Sequence, residues 1–289
     1  MAEINFSSLP SNRSNLVNWH RVTSGSMTLT GNLLEKTFCF DETFERSEFS
    51  RPYPKVRHTY ELPLIVGQKV SFFTNFLDPS EIPQNASVRV FENKDGGAEK
   101  TALFTVNKTN LESGNIYVEI TPLSGVRDYE SLRIVLFDST VSHISRPFVI
   151  VPNFSNVFRI QFNPQKSVYF NYPYLDPTAA DLFQSILVHG NLVEVTFPGE
   201  TEIYREVTTN RERQETSYIG RRLNIETYYM DLLAHEAMAA IFFHKGVKIN
   251  DLDVTIAGSY EPNMVSDREI SKGSVELIDL GYGHRIKSC

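Results

Sequence analysis

The chain has 289 residues, of which 41% are hydrophobic and 22% charged, a composition typical of a globular protein with a substantial core. Its net charge of −7, with basic and acidic residues interleaved, argues against a nucleic-acid backbone as partner. We expect neither a membrane helix of ~20 apolar residues nor a signal peptide, and the two cysteines, Cys39 and Cys289, fit a chain folded in a reducing compartment.

Residues 1–55 are polar and irregular, and we predict that they form an extended N-terminal arm. This arm could pack on another molecule or cover its own domain. Between residues 56 and 152, seven short runs rich in β-branched and aromatic residues alternate with turn sequences. They are YELPLIV, KVSFFTNF, SVRVFE, ALFTV, IYVEI, LRIVLF and RPFVIV. The pattern predicts an immunoglobulin-like β-sandwich in a mainly β protein.

Residues 153–289 mix helix and strand signals and predict an α+β domain with two helices. The first helix would begin at Asp176 as N-cap and end just before Gly190, with one apolar face. The second would extend from Asp231 to Gly246 and bury a wide apolar surface, with two basic residues in its last turn. The predicted strands around them are VFRIQF, NLVEVTF, EIYREV, SYIGRRLNI, DLDVTI and SVELIDL.

The second predicted helix carries the one pair of residues that resembles a catalytic motif. His235-Glu236 begins the HExxH pattern of zinc proteases, but Ala239 occupies the position of the second histidine. His244 lies nine residues after His235, and at 100° per residue the two rings would point about 180° apart on a helix. We therefore predict that His235 is a core residue, and that Glu236 forms an ion pair or contacts solvent.

Other chemistry-bearing patterns are weak. Asp251 and Asp253 would place two carboxylates on one side of a strand, but a calcium loop needs more oxygen ligands at closer spacing. A polar strand start is the favoured reading. No G-x-S-x-G, P-loop or dinucleotide-binding glycine motif is present. The sequence therefore predicts no catalytic, cofactor-binding or metal-binding residue.

Two groups of residues are candidates for contact with a partner. An arginine-rich segment is interleaved with glutamates and predicts either a solvated hairpin or a charged subunit interface. Its candidate interface residues are Arg211, Arg213, Arg221 and Arg222. An aromatic segment predicts core or interface packing, with contact to sugar rings as the alternative. Its members are Tyr169, Phe170, Tyr172 and Tyr174.

Four segments resemble a known class of proteins. They are SGNIYVEITPLSGVRDYESLRIVLFDS with SHISRPFVIV, and LLAHEAMAAIFFHKGVKIND with SYEPNMVSDREISKGSVELIDL. The first pair resembles an immunoglobulin-like module. Both pairs resemble tail-, neck- and connector-region structural proteins of tailed bacteriophages, in particular those infecting gut Bacteroidales. The resemblance implies a virion component that forms a ring or tube, and it transfers no catalytic or binding residue.

The leading hypothesis is therefore a non-enzymatic phage structural protein, assembled in the host cytoplasm and located in the virion. Its expected partners are copies of itself, arranged as a ring, and neighbouring virion proteins, with no cofactor, membrane or nucleic-acid readout. A carbohydrate-binding or adhesin-like module using the aromatic segment is the alternative. A hydrolase with an unrecognised site at His235, or at Asp251 and Asp253, is a third possibility, and full burial of His235 would remove its first candidate.

Overall fold

The structure is a computed structural model in which strands dominate. It describes residues 17, 20–23, 60–74, 85–94, 97–111, 116–137, 141–153, 156–163, 182–206, 211–242, 244, 246–263 and 270–287. With 62% strand and one short α-helix, the predicted mainly β class is confirmed. The strands form two sheets, one of six strands and one of twelve.

The N-terminal half contributes nine strands. They are β1 (His20–Thr23), β2 (Leu62–Leu64), β3 (Val70–Phe73), β4 (Ser87–Glu92), β5 (Phe104–Asn110), β6 (Ile116–Pro122), β7 (Ser131–Phe137), β8 (Val141–Ile144) and β9 (Phe148–Ile150). Each of the seven predicted runs overlaps one of these strands, whereas β1 and β8 were not predicted. Local alternation and flanking turns were sufficient signals for the seven.

Two sheets face each other in this half. The small sheet has the order β1-β8-β7-β9-β2, with β4 also paired to β7. Strands β3, β6 and β5 form the opposing layer and belong to the large sheet. Phe72 of β3 meets Phe148 of β9 across the interface, with ring centroids 6.0 Å apart, and both side chains are fully buried. Burial of inward-facing side chains from both layers stabilises this arrangement.

The C-terminal half contributes nine strands and the α-helix. They are β10 (Val157–Phe162), β11 (Gln184–Thr196), β12 (Gly199–Glu206), β13 (Arg211–Thr227), β14 (Met230–Asp231), α1 (Leu232–Ile241), β15 (Val247–Ile249), β16 (Leu252–Ile256), β17 (Glu261–Asn263) and β18 (Ile270–Lys287). Strands β14 and β17 both pair with β18.

Six of these strands close on themselves as an antiparallel barrel. The pairings are β13 with β18, β18 with β16, β16 with β15, β15 with β10, β10 with β11, and β11 back to β13. Side chains buried at alternate positions fill the interior: Leu223 and Ile225 on β13, and Val275 and Leu277 on β18. Closure leaves these strands no exposed edge within the barrel.

The two halves share one sheet and one core. Strand β3 pairs with β11 at Ser71 and Ser185, and the Ser71 hydroxyl donates to the Phe183 carbonyl at 2.8 Å. One cluster of buried apolar residues continues from β2 to β18. The division of the chain at residues 55 and 152 stays a prediction.

The helix predicted from Asp176 to Gly190 is wrong over its described part, because residues 184–190 lie in β11, and no second α-helix is seen among the described residues. Residues 184–188 are all buried, since β11 has neighbours on both edges and is covered on both faces. A strand buried on both faces lacks alternation, so apolar residues within it can imitate helical spacing. Asp176 lies outside the described residues.

Helix α1 confirms the start of the second predicted helix but is shorter than expected. Asp231 is its N-cap, and the carboxylate accepts a hydrogen bond from Ala234 N at 2.9 Å. The helix ends at Ile241, five residues before Gly246, which has φ +68° in the turn into β15. His244, predicted in the last turn, lies beyond the helix and is buried. The expected burial of its apolar side chains is confirmed, because five of the eight helical side chains from Ala234 onward are buried and four of these five are apolar.

The described parts of the N-terminal segment contact the chain's own small sheet. Val17 is fully buried, and its carbonyl accepts a hydrogen bond from Arg146 N at 2.8 Å. Strand β1 pairs antiparallel with β8. These residues therefore cover their own sheet, one of the two roles considered for the arm.

Candidate functional site

A three-stranded projection extends from one end of the barrel. Strand β13 pairs with β11 over residues 222–227, inside the barrel, and with β12 beyond it. The final residues of β18, 283–287, pair with its other edge. We call β12, residues 211–220 and residues 283–287 the β-arm. At ~3.3 Å per residue, the ten arm residues of β13 span roughly 33 Å.

The barrel ends and the β-arm begins near Arg221 of β13, and we call this junction the neck. Pro198 separates β11 from β12, because proline has no backbone N–H to donate to the ladder. Its carbonyl accepts from Gly220 N at 3.0 Å. On the other edge, the register of β18 shifts so that residues 279–282 bulge opposite Arg221. These irregularities on both edges of β13 mark the point where the strand leaves the barrel and enters the β-arm.

A buried carboxylate holds the neck together. The Arg221 Nε donates to Asp279 Oδ2 at 2.7 Å, the Nη2 of the same guanidinium donates to the same oxygen, and Asp279 is buried. The other carboxylate oxygen accepts from Gly281 N at 2.9 Å. The Arg221 guanidinium also lies 4.9 Å from the Tyr282 ring centroid, and Tyr282 contacts Phe197. These charge-assisted and ring contacts fix the direction of the β-arm.

Apolar side chains are exposed around the neck. Three lie on β11, one lies between β11 and β12, and one lies in the β18 bulge on the other side of β13. They are Leu192, Val193, Val195, Phe197 and Leu280, each between 40% and 62% exposed. Leu192 lies opposite Ile225 and Val195 opposite Leu223, so these side chains are distributed along the strand, and apolar residues exposed singly in this way are normal.

The four candidate arginines all lie on β13. The register places Arg211 opposite Glu206 at the arm's tip, and Arg213 lies two residues further along. Opposite charges at facing positions favour this hairpin register. Arg222 pairs with Glu276 at 3.1 Å, both side chains being more than 40% exposed, so that pair stabilises the fold by at most about 1 kcal/mol. The hairpin is present, and contact with a partner stays a prediction.

The aromatic candidates fall outside the described residues. They are Tyr169, Phe170, Tyr172 and Tyr174. Their contact with sugar rings or with another subunit stays a prediction.

Asp251 and Asp253 do not share a strand, in contrast to the arrangement that the sequence suggested. Asp251 lies with Asn250 in the two-residue turn between β15 and β16, and both have positive φ, as a tight hairpin turn requires. Asp253 is on β16, and its carboxylate lies 3.5 Å from Lys248 Nζ at the surface. The position of Asp251 in the hairpin turn explains this residue without a ligand shared with Asp253.

His235 is confirmed as a core residue. It is 2% exposed, and both ring nitrogens are hydrogen-bonded. With a neutral ring, Nε2 donates to the Ser271 carbonyl at 3.0 Å and Nδ1 accepts from the Tyr260 hydroxyl at 2.6 Å. Burial lowers the pKa of His235 and raises the pKa of Tyr260 to about 12. This burial removes His235 as the hydrolase candidate, whereas Glu236 on the same helix is exposed as expected.

We expect acid to destabilise the fold through its buried histidines. Burial lowers the pKa of His235 and of His189, so below about pH 6.5 the unfolded chain binds protons that the folded chain does not. Their contribution is present above that pH and is lost as the pH falls. Urea unfolding at about pH 7.5 and about pH 5.5 should show a smaller pH effect for His235→Gln than for wild type. Equal pH effects in the two proteins would contradict this assignment.

No helix in the described ranges is both long and apolar enough to cross a membrane. In the same ranges, no three His, Cys, Asp or Glu side chains lie together as metal ligands would. The chain matches no family model, and no curated protein matches it.

Proposed function

We propose that the chain is a non-enzymatic structural component of a tailed-phage particle, in the neck, tail or connector region. It would act in the virion by assembling with copies of itself, as a ring, and with neighbouring virion proteins. The phage assignment rests on the resemblance of residues 113–151 and 232–280 to such proteins. The assembly part rests on the β-arm.

The β-arm supports assembly because a strand edge attracts other strands. Among the described residues, β12 pairs with β13 alone, so its outer edge presents a row of backbone donors and acceptors. Monomeric proteins keep such edges short or covered, whereas this one extends eight residues away from the barrel. An edge of this kind is suited to contact with another protein chain.

The rest of the fold suits a rigid building block. We propose that the small sheet and the layer of β3, β5 and β6 form an immunoglobulin-like sandwich. The sandwich is fused to the closed barrel through the β3–β11 pairing and a shared core. A rigid body with one directed arm makes the same contact in every copy, and repeated contacts of that kind generate rings when the rotation closes.

Shortening the β-arm should abolish self-association. Thr201 lies opposite Ser217, so residues 202–216 can be replaced by Asn-Gly, which forms a two-residue hairpin turn. We expect the wild-type chain to form oligomers in light scattering coupled to size-exclusion chromatography, and the shortened chain to be monomeric. Removal of the arm leaves the barrel pairings of residues 222–227 intact, so thermal unfolding should be nearly unchanged.

Two outcomes would contradict the proposal. A wild-type chain that remains monomeric at its highest soluble concentration would remove the basis for a ring. A shortened chain that still forms the wild-type oligomer would show that assembly does not use the β-arm.

A further inference from the structure

The β-arm has two outer strands that carry charges of opposite sign. Among the described residues, β12 and the end of β18 each pair with β13 alone at this level. Residues 199–202 of β12 include Glu200 and Glu202, and we call this segment the acidic edge. Residues 283–287 of β18 include Arg285 and Lys287, and we call this segment the basic edge.

The opposite charges lie at the same levels of the arm, with β13 between them. Glu200 and Arg285 are both opposite Tyr218 of β13. Glu202 and Lys287 are both opposite Thr216 of the same strand. Two strand spacings separate the backbones of each pair by about 10 Å. The ladder of the arm therefore places a neutral residue, and no opposite charge, at the position facing each of these charges.

The hydrogen-bond phase of the ladder shows which backbone groups point outward. Bonded and non-bonded residue pairs alternate along an antiparallel ladder. The Pro198 carbonyl accepts from Gly220 N, so this is a bonded pair, and even-numbered residues of the acidic edge bond to β13. On β13, even-numbered residues from 216 to 220 bond to β12, which leaves residues 217 and 219 to bond to β18. Odd-numbered residues of both edges consequently point their N–H and C=O groups outward.

This phase allows the two edges to pair in parallel with matched charges. In a parallel pair, a residue that bonds to the neighbouring strand lies opposite a residue that points away from it. Odd-numbered residues of one edge then face even-numbered residues of the other. One register places Glu200 opposite Arg285 and Glu202 opposite Lys287, and pairs residues 199–202 with residues 284–287. Opposite charges at facing positions stabilise such a pair.

Pairing of β12 with the β12 of a second copy is less favourable. Two identical antiparallel strands related by a two-fold axis have one residue opposite its own copy. In β12, every such register of five or more residue pairs places a glutamate opposite a glutamate. Like charges at facing positions destabilise the pair, so the acidic edge favours the basic edge over a second acidic edge.

We propose that the acidic edge of one copy pairs in parallel with the basic edge of a second copy. This inference rests on the proposed function, because it names the partner of the outer edge of β12. The two edges are different surfaces of one β-arm, so each copy uses both and the contact continues from copy to copy. The β-arms of neighbouring copies then form one continuous sheet.

Charge reversal on each edge tests the pairing. The first chain carries Glu200→Lys with Glu202→Lys, and the second carries Arg285→Glu with Lys287→Glu. Each faces like charges in its own copies, so its dissociation constant for self-association should rise about 30-fold or more. A chain with all four changes should recover assembly, and an equimolar mixture of the first two chains should also assemble. Light scattering coupled to size-exclusion chromatography measures the species, and thermal unfolding verifies that each chain is folded.

A matched control separates edge pairing from a general effect of charge. Glu99→Lys with Asp253→Lys changes two exposed carboxylates outside the β-arm and alters net charge as the first chain does, so the oligomer should be unchanged. Wild-type-like assembly of either edge-reversed chain, expected if other residues of the same chain cover that edge, would overturn the pairing and leave the proposed function standing. Loss of assembly that neither the fourfold change nor the mixture restores would overturn the register. A monomeric wild-type chain would overturn the proposed function itself.

Discussion

Replacing Asp231 by alanine is expected to lower the free energy of unfolding by about 3–5 kcal/mol. The Asp231 carboxylate joins three parts of the fold. Oδ2 accepts from Tyr60 N at 2.8 Å and from Arg146 Nη1 at 2.9 Å. Oδ1 accepts from Arg146 Nη2 at 3.2 Å and from Ala234 N, at the start of α1, at 2.9 Å. Both charged side chains are nearly completely buried, so alanine would leave a guanidinium in the core without its carboxylate.

Urea unfolding measures this loss, which is a large fraction of the ~5–15 kcal/mol stability of a typical protein. Asp253→Ala is the matched control, because that carboxylate is exposed, and its effect should stay within about 0.5 kcal/mol. In an Arg146→Met background, Asp231→Ala should cost about 1–3 kcal/mol less than in wild type. Strictly additive effects would show that the ion pair contributes nothing beyond its separate residues.

The features that sequence predicted correctly depend on neighbours along the chain. The run from Ile116 to Ile120 lies within β6, and its inward positions are fully buried. Asp231 begins α1 because its side chain reaches an amide three residues ahead. In both cases the determining contacts lie within one strand or one helical turn.

The features that sequence missed depend on distant pairing. Gln184 begins a strand because β10 and β3 cover its two edges, which no local spacing can reveal. The sequence identified Arg221 only as one of a group of interleaved charges, whereas its carboxylate partner, Asp279, lies 58 residues away in the same chain. The run NLVEVTF was correctly predicted as a strand over residues 191–196. Side chains of this run are exposed because they lie near the neck, and the position of the neck depends on closure of the complete barrel.

Gly190→Ala is expected to destabilise the fold by about 3 kcal/mol, at the upper end for overpacking. The barrel closes where β11 meets β13, and the first pair in that ladder is Gly190 with Thr227. A Cβ at this position would lie 2.5 Å from the Glu226 carbonyl oxygen, 2.6 Å from Phe158 Cε1 and 3.1 Å from Thr227 Cα. Two of these atoms are backbone, so relief requires strand β13 to move away from the closure.

Thermal and urea unfolding of two further variants test whether close packing, rather than a helix end, requires glycine at position 190. Gly258→Ala is the matched control: an added Cβ meets nothing within 4 Å, so stability should be unchanged or rise by up to about 1 kcal/mol. Gly190→Asn tests the helix that the sequence suggested. A residue just past a helix end tolerates asparagine, whereas a tight strand contact rejects asparagine as strongly as alanine. A stable Gly190→Asn protein would therefore contradict the barrel closure, and comparable losses for both Gly190 variants would support it.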